Sequence, residues 1–447
     1  MKIIRPCSVL MMGLFYIVSI FVEDEFLNYT IAFFTFIILV SFIRYLNRIS
    51  FIMIVSLLFL SVIIYLYSNN FHEIINGFLM NSSVLAIFIF VPLLSIPITS
   101  KRYIKEIEVF LMYSFKSPKK YYNYMKIGGV LLGSVLNMGA LSILYFLTDS
   151  KRFKNYQNLK LKALNRGFSL AFLWSPYFIS IAVILSYFEV HWIELAFYGL
   201  LLTILSIAYE QFKFTESKVE FNVRDKDKNY DKRKIYELFI IITAMTLLII
   251  LIDIKSNVSI ISIIPIISIL TFFIWTYFIG GFKEITKGLQ KYTQVRIPNM
   301  GNELLLFIGA GLFGTALISA GFDKLLLLFL EFIGISHVLL LIPLFGFIII
   351  SLSMLSIHPI VSVTVIALTI SSMNIENNSQ IYFALGLLLS WMITINISPF
   401  SGVNLILSNL SKVNVVIIGL KSNMIYSLGM WVTGYTIIII LYILDVF

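Results

Sequence analysis

Residues 381–409 read IYFALGLLLSWMITINISPFSGVNLILSN, with no charged side chain. A membrane-crossing helix takes roughly 20 apolar residues, so this run is long enough to cross. It is also broken from within. Pro399 removes a backbone donor and stops a helix, and Ser398, Ser401 and Asn404 crowd polar groups into the same few residues. In a bilayer every freed N–H and C=O must find a partner inside the protein. A broken, charge-free helix therefore predicts a membrane protein with polar chemistry at mid-depth.

A second run has the same build. Residues 167–187 carry Trp174-Ser175-Pro176-Tyr177 and then Ile184-Leu185-Ser186, against Ile397-Ser398-Pro399-Phe400 and Ile406-Leu407-Ser408. The whole chain agrees with a bilayer setting. It has 447 residues, 59% hydrophobic and 13% charged, with a mean hydropathy of +0.95. Average soluble usage is about 45–50% apolar and about 25% charged, so a soluble enzyme, a disordered chain and a coiled coil are excluded. The single Cys7 excludes a disulfide framework, and no Cys/His spacing suggests a metal site. The run Cys7–Val22 is followed by Glu23-Asp24-Glu25 rather than a cleavage site, which predicts a retained first helix.

Basic residues set the topology. All of the 33 Lys/Arg except Lys255 and Lys324 fall in segments 1–6, 44–49, 101–126, 150–166, 211–234, 281–300 and 410–423. The net charge of +10 therefore points to cytoplasmic loops of an inner-membrane protein, not to a nucleic-acid partner. Spans are predicted at 7–22, 30–43, 50–68, 82–99, 167–187, 191–209, 236–254, 257–279, 303–320, 381–409 and 424–444. Two apolar stretches remain. Residues 127–148 have basic loops on both sides, which predicts a re-entrant hairpin on the cytoplasmic face. Residues 337–373 have basic-poor flanks, which predicts a hairpin from outside. The expected fold is all-α and polytopic, with about eleven spans and two re-entrant hairpins. The N-terminus is cytoplasmic and the C-terminus external.

The hairpins and broken helices recur in the same order. Gly133–Gly139 and Ser353–Pro359 form polar hairpin midpoints, and Asn137 to Ser175 spans a distance similar to His358 to Ser398. Charge gives the two sets opposite orientation, so two inverted repeats are expected. The division is 1–29 for the first helix, 30–210 for the first repeat, 211–235 for a charged cytoplasmic linker and 236–447 for the second repeat. Inverted repeats with broken helices mark secondary transporters.

The layout resembles the ion transporter superfamily, which includes divalent-anion/sodium symporters, citrate carriers and arsenite permeases. The likeness covers about residues 30–445. It rests also on Gly309-Ala310-Gly311-Leu312-Phe313-Gly314-Thr315-Ala316-Leu317 and on Ser398-Pro399-Phe400-Ser401-Gly402-Val403-Asn404. The resemblance implies that hairpin tips and unwound helices enclose substrate and coupling ions, and that an outer scaffold can hold a homodimer. Neither hairpin carries the symporters' Ser-Asn-Thr run.

The residues themselves suggest a binding site. At the breaks, Ser175, Pro176, Ser398, Pro399, Ser401, Gly402 and Asn404 free backbone groups and add side-chain oxygens. Freed carbonyls suit a cation, and a half-helix N-terminus suits an anion. At the tips stand Ser134, Asn137 and Gly139, then Ser356, His358 and Pro359. They serve as turn formers or as ligands meeting the breaks. His358 is the one ionisable side chain this topology places near mid-membrane, a candidate proton carrier or a neutral pin for its hairpin. Tyr121-Tyr122-Asn123-Tyr124 reads as an interfacial belt.

The expected function is a secondary transporter moving a small polar, anionic solute by alternating access, coupled to Na⁺ or H⁺, with no enzyme activity and no further cofactor. Two alternatives stay open: a membrane glycan polymerase or ligase, and a non-transporting assembly component. The short external loops, with Lys255 and Lys324 as their only bases, weigh against the first.

Overall fold

The computed structural model describes residues 4–149, 151–213, 230–256, 258–332, 337–372, 377–444 and 446, and all regular structure among them is helical. The protein is an all-α polytopic membrane protein. The first half opens with α1 (Ile4–Ser19), α2 (Glu25–Phe42) and α3 (Arg48–Ser68). A kinked helix follows as α4 (Glu73–Leu79), α5 (Ser82–Phe90) and α6 (Ser95–Ile98). Pro92 and Pro97 lie at its bends, where each deletes a donor. Amphipathic α7 (Lys101–Ser114) buries Tyr103 and Leu111 and exposes Lys101, Arg102 and Lys105. Next come a helical hairpin, α8 (Pro118–Leu136) and α9 (Gly139–Leu147), a broken helix, α10 (Gln157–Leu170) and α11 (Ile179–Tyr187), and α12 (Trp192–Lys213). Pro118 stands at the first turn of α8, and the Ser117 hydroxyl accepts from Lys120 N–H at 3.3 Å, a normal N-cap.

The second half repeats the order. It runs α13 (Lys232–Lys255), α14 (Ile260–Lys291), α15 (Gly301–Ser319) and α16 (Phe322–Phe332). Then come a hairpin, α17 (Val338–Met354) and α18 (Pro359–Ser372), a broken helix, α19 (Asn377–Ile397) and α20 (Gly402–Ser411), and α21 (Ser422–Ile443). Most of the expected linker 211–235, and residues 373–376, which include the last residue of the expected hairpin 337–373, lie outside the described residues.

Among the described residues, eight stretches are long and apolar enough to cross a membrane, and the one from Ile260 to Ser319, 60 residues long, takes in both α14 and α15. Shorter α1 and the broken α10–α11 occupy the remaining predicted spans. Several expectations change. Segments 101–126 and 150–166, read as loops, hold α7 and the start of α10. Residues 281–300, read as a loop, are helical: α14 bends at Gly280-Gly281, where Gly281 has φ +67°, and runs on to Lys291. It buries Ile285 and Gly288 and exposes Lys283 and Lys287, a helical period that its basic content conceals. The first hairpin starts at Pro118 rather than near 127. And Tyr121 and Tyr122 are no interfacial belt; they are 0% and 1% exposed, because the first turns of α8 are packed inside the protein.

Burial separates centre from periphery. The apolar window within Ser379–Ser411 is 100% buried, whereas that within Lys232–Lys255 is 17% buried. Large apolar side chains such as Phe59, Phe278 and Ile425 are exposed, the composition of a lipid-facing surface. At the centre the hairpins and broken helices exchange partners. α8 packs on α10 and α17 on α19, each within its own half. The second arms cross over: α9 packs on α20 and α18 on α11.

Candidate functional site

Each break is built on one serine. The Ser175 hydroxyl donates to the carbonyl of Ser134 at 2.7 Å and accepts from Tyr177 N–H at 3.3 Å. The Ser398 hydroxyl donates to the carbonyl of Ser353 at 3.0 Å and accepts from Phe400 N–H at 3.2 Å. Both serines are fully buried. Both receiving carbonyls lie three residues before a hairpin-tip residue with positive φ, Asn137 at 53° and Ser356 at 73°.

A second serine beyond each break closes the gap. Ser180 donates to the carbonyl of Phe172 at 2.7 Å, and Ser401 to that of Ile395 at 2.9 Å. Each of these carbonyls precedes its break serine by three residues, where the interrupted ladder leaves an acceptor over. The following helices come unusually close. A side chain at Gly199 would strike the Leu173 carbonyl, and one at Gly419 would strike the Ile397 carbonyl. Ser180 and Ser353 thus belong to the frame, although they were not candidates from the sequence. Their signal was an i, i+8 and a tertiary register that spacing alone does not expose.

The breaks differ in polarity. The first is lined by Phe172, Trp174, Tyr177 and Phe178, and Pro176 is buried in it. Its Tyr177 hydroxyl bonds Thr246 at 2.7 Å. The second is rich in amides. Asn404 Nδ2 donates to the carbonyls of Ser398 (2.9 Å) and Asn396 (3.1 Å), and its Oδ1 accepts from Asn165 Nδ2 at 2.7 Å. Ser401 also caps α20 through Asn404 N–H at 3.2 Å. The carbonyls freed by Pro399 are therefore largely held by Ser401 and Asn404. Two buried amide oxygens beside them, Asn165 Oδ1 and Asn396 Oδ1, accept no hydrogen bond among the described residues. Asn165 and Asn396 were not sequence candidates: Asn396 sits in a run that reads as ordinary helix, and Asn165 in segment 150–166, which reads as a basic loop.

The first tip reaches the second break: a Cβ on Gly402 would lie 3.1 Å from Met138 Cε. Asn137 Oδ1 accepts from Met138 N–H at 2.8 Å, so Asn137 shapes the tip. The Ser134 hydroxyl turns back to the Leu131 carbonyl at 2.8 Å. Gly139 opens α9 with free space about it. The second tip lies elsewhere, against α3: His358 N–H approaches Met53 Sδ at 3.4 Å. The His358 Nδ1 accepts from Ile360 N–H at 3.2 Å, so it carries no proton in this arrangement and caps α18 just ahead of Pro359.

His358 is not the only buried ionisable group. Glu210 pairs with both Lys126 and Arg166, and their side chains are 5%, 2% and 14% exposed. Tyr122 donates to Glu210 at 2.7 Å; Lys126 also reaches Ser206 at 2.8 Å. Arg166 bonds Asn423 Oδ1 and the Ser422 carbonyl, both at 2.8 Å. This clasp ties α8, α10, α12 and α21 together. Sequence reading placed each charge at a loop edge, and only the fold makes those edges converge.

No family model and no curated protein sequence matches the chain. Solved structures do. The chain is similar to the Alcanivorax borkumensis YdaH transporter at 12% identity and TM-score 0.58, over 84% of this chain and 89% of that one. It is also similar to Neisseria gonorrhoeae MtrF, described as illuminating a class of antimetabolite efflux pumps. There the identity is 12% and the TM-score 0.50, over 84% of this chain and 85% of that one. The likeness is one of fold, and both of these folds belong to membrane transporters.

Proposed function

We propose that the protein is a secondary transporter of the ion transporter superfamily type, moving a small polar, anionic solute across the inner membrane by alternating access. One observation carries the reading. In both halves a break serine bonds a hairpin carbonyl three residues from a positive-φ tip, and the hairpin arms cross to the opposite broken helix. Paired breaks at mid-membrane, related by an inverted repeat, are how such carriers hold a solute while two bodies rock about it.

Bonds between helix ends support the two-sided topology. Glu210 binds both Lys126, in the first arm of the first hairpin, and Arg166, which follows its second arm. Asn47 accompanies Asn302 at 3.2 Å, and Gln157 the Ser411 carbonyl at 2.9 Å; charge assigns all of these ends to the cytoplasm. Asn70 meets Ser319, and Glu189 meets Gln380, all assigned outside. On this reading both hairpins are re-entrant, the N-terminus is cytoplasmic and the C-terminus external.

The coupling ion is Na⁺ rather than H⁺. Amide and carbonyl oxygens around Asn165 and Asn396 suit a hard cation, while His358 Nδ1 is committed as an acceptor. The N-terminus of α20, opened by Ser401 and Gly402, suits an anionic group.

The test is a thermal-shift screen of purified protein against monocarboxylates, dicarboxylates, oxyanions and amino acids, in Na⁺ and in choline. A bound solute raises stability by mass action. We expect one anionic class to stabilise, more strongly in Na⁺. Uptake and export in vesicles then fix the direction, which the efflux neighbour leaves as a real alternative. Stabilisation by nothing in the screen, with single cysteines at 116 and 156 labelling from opposite sides, would sink both function and topology.

A further inference from the structure

At the second break Ser398, Ser401 and Asn404 are fully buried, as are Asn165 and Asn396 beside them. Gly402, the first residue of α20, keeps accessible surface. Its N–H, like that of Val403, belongs to the first donors of a helix, which find no partner inside it. The way to the buried amides that passes Gly402 is the one the first hairpin covers, because α9 packs on α20.

The covering residue is Met138. A Cβ built on Gly402 would lie 3.1 Å from Met138 Cε and 3.9 Å from its Sδ. Beyond the chain around Gly402 itself, this thioether is the neighbour within 4 Å of that point. The tip backbone beneath it is fixed. Asn137 turns the chain with φ 53°, its Oδ1 accepts from Met138 N–H at 2.8 Å, and its carbonyl accepts from Ala140 N–H at 3.0 Å. The side chain is not fixed in the same way. Methionine is unbranched, with three rotatable bonds, and Met138 is only partly buried. A Cβ built on Gly139, the next residue, meets no heavy atom within 4 Å, so there is open space at the tip for the thioether to enter.

We infer that Met138 is the specificity-determining residue of the proposed transport site. Its thioether rests on Gly402 as a plug, and a solute reaches the N-terminus of α20 by displacing it. The inference rests on the functional reading above, which puts an anionic group at that helix start. Met138 then meets the part of the solute next to the anionic group and sets how bulky that part is allowed to be.

Two measurements on the full chain carrying Cys7→Ser test this. The first needs no solute. The thiol introduced by Gly402→Cys is labelled with a small anionic reagent, sulfonatoethyl methanethiosulfonate. Adding Met138→Ala should raise the labelling rate at least tenfold, and adding Met138→Leu, which keeps the volume, less than twofold. The second leaves Gly402 intact and titrates thermal stability in Na⁺ with three pairs of anions: acetate and benzoate, succinate and phenylsuccinate, phosphate and phenylphosphate. Members of a pair share the anionic group and differ in bulk. In the pair that binds, Met138→Ala should shift the affinity ratio at least fivefold toward the phenyl-bearing member, while Met138→Leu keeps the original ratio. Taking the ratio within one variant cancels any general change in stability. An unmoved labelling rate in Met138→Ala overturns the plug whatever the titration gives. A faster rate with an unmoved ratio overturns the specificity role and leaves the functional reading standing. Binding of no anion by any variant sinks the functional reading, and the specificity role falls with it.

Discussion

The break at Ser175-Pro176 and the break at Ser398-Pro399 share a skeleton and differ in lining. In each, one serine bridges to a hairpin carbonyl and a second repairs the ladder. The first is packed with aromatic side chains, and its α10 is locked by the Arg166–Glu210–Lys126 clasp. The second is packed with Asn396, Asn404 and Asn165, and two of its amide oxygens lack a donor among the described residues. The shared bonds hold a helix open in a medium without water. The difference tells where that opening is used. Symmetry builds the frame, and under the proposed function the amides make the second break the place for ion and solute.

The hardest blow to this contrast falls on the clasp. Glu210→Gln leaves Lys126 and Arg166 as buried cations with no counter-charge. Breaking a buried pair from one side costs about 3–5 kcal/mol. We expect a large drop in melting temperature, with any protein that still folds keeping its Na⁺ response. Normal stability with lost Na⁺ response would instead make the clasp part of the ion site and erase the division between the breaks.

The prolines sharpen it next. Pro399→Ala lets α19 run on toward α20 and withdraws the amide cluster, so transport should fall at least tenfold with expression retained. Pro176→Ala acts in the dry break and should lower stability more than transport. Asn396→Ala, with an unchanged backbone, should remove most of the extra stabilisation seen in Na⁺ over choline. Equal transport losses for both prolines, with an intact Na⁺ effect in Asn396→Ala, would place ligand chemistry in both breaks alike.

Smaller effects test the shared part. Ser175→Ala orphans the buried Ser134 carbonyl, a loss of about 1–3 kcal/mol. Ser398→Ala should cost less, since the Ser353 carbonyl keeps the Ser356 N–H at 3.3 Å. What was legible in the sequence follows the same line. The Ser-Pro pairs, tip residues and basic segments each announce a local property, breakage, turning or sidedness, and these local properties set the helix order. The partners of Ser175 and Ser398 could not be read, because a carbonyl carries no sequence signature. Nor could the clasp: Lys126, Arg166 and Glu210 lie far apart in the chain, and each resembles an ordinary loop-edge charge until the helices are packed. Asn396 was hidden for the opposite reason, since a polar side chain inside a helix declares nothing until its neighbours are known, and Asn165 lay in a segment that read as a loop.

The finest test concerns the tips. The first tip touches the second break through Met138 and Gly402, whereas the second is held at α3 and capped by His358. If His358 is only a cap, an acceptor at the same place serves as well. Asparagine provides one, because its Oδ1 can take the N–H two residues on. His358→Asn should then leave the pH profile of transport unchanged, with stability altered by about 0.5 kcal/mol or less, while His358→Ala loses about 1 kcal/mol, the usual worth of an N-cap. The proton-carrier reading predicts otherwise. Protonating Nδ1 would turn the acceptor into a donor and release Ile360 N–H, so the tip would loosen as the pH falls, and His358→Asn would flatten the pH profile. A flattened profile in His358→Asn, together with transport indifferent to Na⁺, would move the coupling role from the amides of the second break to the second tip and make the two tips, not the two breaks, the asymmetric pair.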